Sequence, residues 1–184
     1  MKIFKKRGKS QFAMEYVLMI AIALAILLSG IYVFRNYVFQ SNDFAINNKL
    51  NQISNLIINN ARKIYYYGVS SRTTLTFEMP SGITNMYILN VKGGNETYLI
   101  FKYITTGGEN KVMYESSVPL YGDNCDINPD ELCIDNDCKC LKKSIYGEGL
   151  KGIYLDVIPN CIYKYQNNNV IQKICVNISK QEYS

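Results

Sequence analysis

The stretch that decides the fold is Arg7–Phe34, RGKSQFAMEYVLMIAIALAILLSGIYVF. Five cations, Lys2, Lys5, Lys6, Arg7 and Lys9, crowd the first ten residues, and after Glu15 no charged side chain appears until Arg35. A helix of the uncharged length between them spans ~28 Å at ~1.5 Å per residue, close to the ~30 Å hydrocarbon core of a bilayer. A segment this apolar is not the surface helix of a soluble domain; it calls for lipid or for other helices like itself. Glu15 is out of place at its start, because a carboxylate moving into lipid costs about 3 kcal/mol. Two readings follow. Glu15 marks the membrane interface with its head in the polar region, or it pairs with the α-amino group that a cut before Gln11 would create about one helical turn away.

The same residues resemble the N-terminus of archaeal type IV pilin-like proteins, which carry class III signal peptides. The resemblance implies that Met1–Ser10 is a leader, that Gln11 is the first mature residue and that Glu15 is the fifth, followed by Tyr16 in the frequent Glu-Tyr pair. Ser10 departs from the pattern, which has Gly immediately before the cut; here Gly8 lies two residues upstream of Ser10. The likeness covers the first 35 residues closely and the remainder in architecture only. It implies cleavage by a prepilin peptidase between Ser10 and Gln11. It also implies an ion pair of Glu15 with the Gln11 amine, and assembly by pilus machinery into a homo- or hetero-polymeric surface filament with roles in attachment and adhesion.

Composition is consistent with one helix plus one head. The chain has 184 residues, 48% hydrophobic and 19% charged, which excludes a disordered chain. The formal charge of +5 belongs wholly to the first ten residues: the 20 basic residues less those five leave 15 against 15 acidic. A basic cluster abutting a hydrophobic span is a positive-inside signal rather than a nucleic-acid footprint. The expected topology therefore puts the N-terminus in the cytoplasm and the head outside, in membrane lipid first and in an extracellular filament afterwards. Histidine is absent, which removes the commonest general base and the commonest metal ligand; no enzyme activity, cofactor or metal is expected. An ordinary secretory signal cut near Ser29-Gly30 would leave Glu15 unexplained.

Beyond Arg35 the helical pattern continues. Ile46, Leu50, Ile53, Ile57, Ala61 and Ile64 form a narrow apolar stripe among Asn, Gln, Lys and Ser, and no Pro or Gly interrupts the chain from Ile31 to Tyr67. Gly68 is a natural C-terminal cap. One helix from about Phe12 to Tyr67 would be roughly 80 Å long, with Gly30 a place for a bend and Tyr65, Tyr66 and Tyr67 packing its end against the head.

The head reads as strands. Arg72–Met79 alternates, Pro80-Ser81-Gly82 is a turn, and Ile83–Val91, Thr97–Ile104 and Lys111–Ser116 follow between Gly-rich breaks. The expected fold is α+β: a long N-terminal helix, apolar then amphipathic, packed on one antiparallel meander with a disulfide-stapled C-terminal region. The expected divisions are a leader at 1–10, a transmembrane or filament-core helix at 11–39, its amphipathic continuation at 40–67 and a β-rich head at 68–184.

Six cysteines, Cys125, Cys133, Cys138, Cys140, Cys161 and Cys175, all lie in the exported part and read as disulfides. Gly152–Ile158 is a further strand. Cys161–Gln166 and Val170–Ile178 flank Asn167-Asn168-Asn169; a symmetric hairpin puts Cys161 directly opposite Cys175, near enough to bridge. Cys138 with Cys140 would close a strained ring, leaving 125–138 with 133–140, or 125–140 with 133–138.

Tyr121–Lys143 reads as a solvated acidic loop held by two bridges. Asp126, Asn128 and Asp130 imitate the first calcium-ligand positions of an EF-hand, but Glu131 stands where Gly is needed and Asp137 at the twelfth position. The cysteine spacing does not fit zinc. Asn95-Glu-Thr97 and Asn177-Ile-Ser179 are N-glycosylation acceptor patterns. The alternative to a pilin-like subunit is a single-pass, signal-anchored cell-surface binding protein with an extracytoplasmic disulfide-rich β domain.

Overall fold

The computed structural model of the chain describes residues 7–91, 95–105, 107–125, 131–133, 137–164 and 170–180. A single helix α1, Arg7–Tyr67, is followed by β1 (Arg72–Met79), β2 (Ile83–Val91), β3 (Glu96–Thr105), β4 (Gly108–Ser116), β5 (Leu120–Tyr121) and β6 (Asp123–Asn124). A 3-10 turn at Glu131–Cys133 leads to β7 (Asp137–Cys140), a one-turn α2 (Lys143–Tyr146), β8 (Gly149–Lys164) and β9 (Val170–Lys180). The chain divides into two compact units, Met1–Phe44 and Ala45–Ser184.

Among the described residues the first unit is helix alone. It starts at Arg7 rather than Phe12 and stays helical through Gly30. The second unit holds the remainder of α1 and all the strands. Every member of the predicted stripe, Ile46, Leu50, Ile53, Ile57, Ala61 and Ile64, is buried there. Most polar positions between them face water, as an amphipathic helix on a sheet requires, while Ser54 is buried with the stripe. The helix ends at Gly68, whose φ of 94° is open to glycine but strained for other residues, and whose N–H donates to the Tyr65 carbonyl at 3.2 Å. Of the three terminal tyrosines only Tyr65 packs on the core; Tyr66 and Tyr67 are exposed, contrary to expectation.

The head has two sheets where one meander was expected. One runs β1-β8-β9-β5 and the other β4-β3-β2-β7-β6. The meander β2-β3-β4 is present and antiparallel, but β1 leaves it to pair with β8 in the register Arg72↔Asp156 to Met79↔Gly149. The turn at Pro80–Gly82 carries the chain from one sheet to the other. β5 runs parallel to β9, so the first sheet is mixed. Leu75, Phe77 and Met79 from β1, Met86 and Ile88 from β2, Leu99 and Phe101 from β3, and Ile153, Leu155 and Val157 from β8 share one core with the helix stripe. A polar tie joins helix and sheet: the Tyr103 hydroxyl donates to Asn47 Oδ1 at 2.6 Å.

Two further expectations are corrected. Gly152–Ile158 and Cys161–Lys164 are not separate strands; both belong to β8, whose register on β9 shifts between Ile158 and Cys161 around the exposed Pro159 and Asn160. A proline is tolerated at such a bulge because no ladder hydrogen bond is asked of it. Tyr121–Lys143 is not all loop either: β7 sits between β2 and β6 in the second sheet. The Asn167-Asn168-Asn169 turn lies outside the described residues.

Candidate functional site

Two regions carry chemistry. The first is the helix of the Met1–Phe44 unit. From Met14 to Val38 its apolar side chains stand open: Leu18 is 62% exposed, Leu24 53% and Leu27 61%. Ser29 donates its hydroxyl to the Ile26 carbonyl at 2.8 Å, so that polar group is satisfied within the helix and makes no demand for water. At Gly30 an added Cβ would meet nothing within 4 Å, and Ile26, Val33, Phe34 and Tyr37 border the notch left there. This is the one helix among the described residues long and apolar enough to cross a membrane. Glu15 is exposed at its start. Ser10 and Gln11 lie within α1, but their side chains fall outside the described residues.

The second region is the disulfide segment. The three bridges are Cys125–Cys140, Cys133–Cys138 and Cys161–Cys175, and no cysteine is free. Of the two arrangements that the first four cysteines left open, the structure takes 125–140 with 133–138. Cys161 bridges Cys175 without facing it. The hairpin register, Cys161↔Lys173 to Lys164↔Val170, sets Cys161 two residues away from facing Cys175, and beyond the bulge Ile158 lies opposite Cys175, with the bridged Cα atoms 6.0 Å apart. A second small core, Tyr87, Leu89, Ile100 and Cys133, fills the outer face of the second sheet beneath this segment.

β7 has the sequence Asp137-Cys138-Lys139-Cys140, and its alternation sends cysteine and charge to opposite faces. Cys138 and Cys140 pack on the outer core, whereas Asp137 and Lys139 turn inward and are buried. Lys139 Nζ lies 3.3 Å from Asp137 Oδ1, donates to Asn124 Oδ1 at 2.8 Å and sits 4.9 Å from the Tyr121 ring centroid. Tyr121 meets the fully buried Tyr163 edge-to-face at 5.7 Å. Burial pushes the Tyr163 hydroxyl well above its ordinary range, and Tyr121 and Asp137 add to the shift. Deeper in, Thr97 donates to Asn90 Oδ1 at 3.0 Å, both buried. A cleft of about 390 Å³ opens on the solvent side of Asn124, bordered by Asn85, Asp123, Leu141, Lys142 and Tyr146.

Sequence reasoning took Asp137 for a solvated acid and missed Lys139 altogether. The period-2 alternation of charge with cysteine was the available signal. Asp126, Asn128 and Asp130, the imitation calcium ligands, lie outside the described residues, and Asp137 is engaged by a lysine rather than set for a cation. Among the described residues no group of three His, Cys, Asp or Glu side chains is placed to hold a metal.

The two glycosylation acceptors differ. Asn95 is exposed at the start of β3 and accepts a hydrogen bond from Lys173 Nζ. Asn177 is half-buried within β9, and its Nδ2 donates to Asp156 Oδ1 at 3.3 Å.

No protein-family model, curated protein or solved structure matches the chain. The described geometry defines a disulfide-stapled α+β head and a helix of membrane-spanning length and composition, the marks of an exported domain held at a membrane.

Proposed function

We propose that this chain is a structural subunit of a type IV pilin-like surface filament. Its basic leader is removed before Gln11 by a prepilin peptidase. The apolar helix then leaves the bilayer and packs among copies of itself, and the head faces outside. The observation that carries this reading is the uncovered apolar surface of Met14–Val38, set against the full burial of the stripe from Leu50 to Ala61. The second surface is satisfied by its own chain and the first is not. Burial of such side chains is worth ~1.5–3 kcal/mol each, so the helix must be covered by lipid or by other helices.

In the filament, Glu15 meets the Gln11 amine of its own or a neighbouring chain. Each charge offsets the desolvation of the other, and the pair sets the register between subunits. The work is burial and one ion pair, without turnover. The head supplies the outer surface for attachment, and Asn95 is the better exposed of its two glycan acceptors. Glu15→Ala is expected to leave a folded, membrane-resident protein that forms few filaments; a normal filament yield from that variant would overturn the ion pair. The second reading, a single-pass cell-surface binding protein, is favoured by the same helix being long enough to cross a bilayer alone. It differs in keeping Met1–Ser10.

A further inference from the structure

Independently of the filament reading, we propose that Lys139 and Asn124 form an intramolecular isopeptide bond with Asp137 as the proton carrier. Three observations meet at this point. A lysine side chain only 4% exposed, with a carboxylate 5% exposed beside it, is an unusual thing to keep inside a small head. The lysine nitrogen touches a carboxamide, at 2.8 Å from Asn124 Oδ1, and β6 and β7 hold the two residues directly opposite each other in register. The carboxylate of Asp137 is 3.3 Å from the same nitrogen, and the Tyr121 ring screens the group. A nucleophile, an electrophilic carbonyl and a proton acceptor are therefore fixed together by the sheet, which is the arrangement that raises the effective concentration of reacting groups.

The step balances without any added reagent. Asp137 takes one proton from the Lys139 ammonium, and the neutral amine attacks Asn124 Cγ to form the new C–N bond. The attacking nitrogen then gives up a second proton, which passes to the amide nitrogen of Asn124. The Cγ–Nδ2 bond breaks and ammonia departs through the cleft beside Asn85 and Lys142. It leaves as neutral ammonia, and Asp137 keeps the proton it took, so no unpaired carboxylate stays buried once the lysine charge is gone. Nothing is oxidised or reduced. The product is a secondary amide joining β6 to β7 beside the Cys125–Cys140 bridge. It would keep that segment closed when the disulfides are reduced.

The test is the mass of the full-length purified protein after complete reduction, followed by fragment mapping of its peptides. The expected result is one ammonia fewer than the sequence requires, with the loss confined to a branched peptide that joins the fragments bearing Asn124 and Lys139. Localisation is needed because cyclisation of an N-terminal Gln11 also releases ammonia. Asn124→Ala, at an exposed edge position, and the near-isosteric Asp137→Asn are both expected to restore the two linear peptides. Linear peptides from the unaltered protein, or a branched peptide that persists in Asn124→Ala, would overturn the proposal and leave Lys139 as a buried ion pair.

Discussion

The two halves of α1 both carry apolar side chains on every turn but meet opposite fates. From Met14 to Val38 the apolar side chains surround the helix and stay exposed; from Ile46 to Ile64 all but Leu56 and Ile58 occupy one stripe and are buried. The difference teaches that distribution, together with amount, decides where a helix finds its cover. An apolar stripe is completed by its own chain's sheets. An apolar cylinder has no face left for water, so its cover must come from outside the chain.

The largest expected effect that sharpens this contrast is on head stability. Leu50→Ala or Ile57→Ala should lower the unfolding free energy of the head by ~2–5 kcal/mol in a denaturant titration, the range for emptying a fully packed site. Leu24→Ala should move the same titration by no more than about 0.5 kcal/mol, as exposed sites do. A large effect at Leu24 would break the contrast. Next, replacing Cys161 and Cys175 together by Ser should cost about 3 kcal/mol, the chain-entropy value for a loop of this size, read as a lower melting temperature under non-reducing conditions. Tyr103→Phe, which removes the bond to Asn47, should cost ~1 kcal/mol.

The smallest effect is on pH dependence. Burial raises Tyr163, and it raises Tyr114 against the opposing hydrogen bond from Ser54; both are acids whose neutral form the fold prefers. Their contribution is therefore fully present below the unfolded value of 10.0 and is lost as pH rises through the higher folded values. Stability followed by circular dichroism should hold flat up to about pH 10 and then fall, and Tyr163→Phe should flatten the fall.

Legibility follows the range of the interactions. The stripe from Ile46 to Ile64 was readable because a helix repeats within itself, and so were the alternating faces of β1. The pairing of Arg72 with Asp156 was not, because no local pattern records which distant strand a segment will join. The expected strand stopped at Ile158, yet β8 passes through Pro159 by bulging, and a hairpin register two residues from the symmetric one puts Cys161 opposite Lys173 without preventing the bridge. In the disulfide segment the density of acids suggested solvent. The alternation of Asp137 and Lys139 with two cysteines turned two charges inward instead, where each is tolerated only because the other is there.

The most direct measurement of the central claim is the mass of the native protein taken from surface filaments and from membranes. The filament reading predicts a chain that starts at Gln11 and is recovered in filaments. A chain that retains Met1–Ser10 and is recovered only as a lone membrane-held species would contradict it.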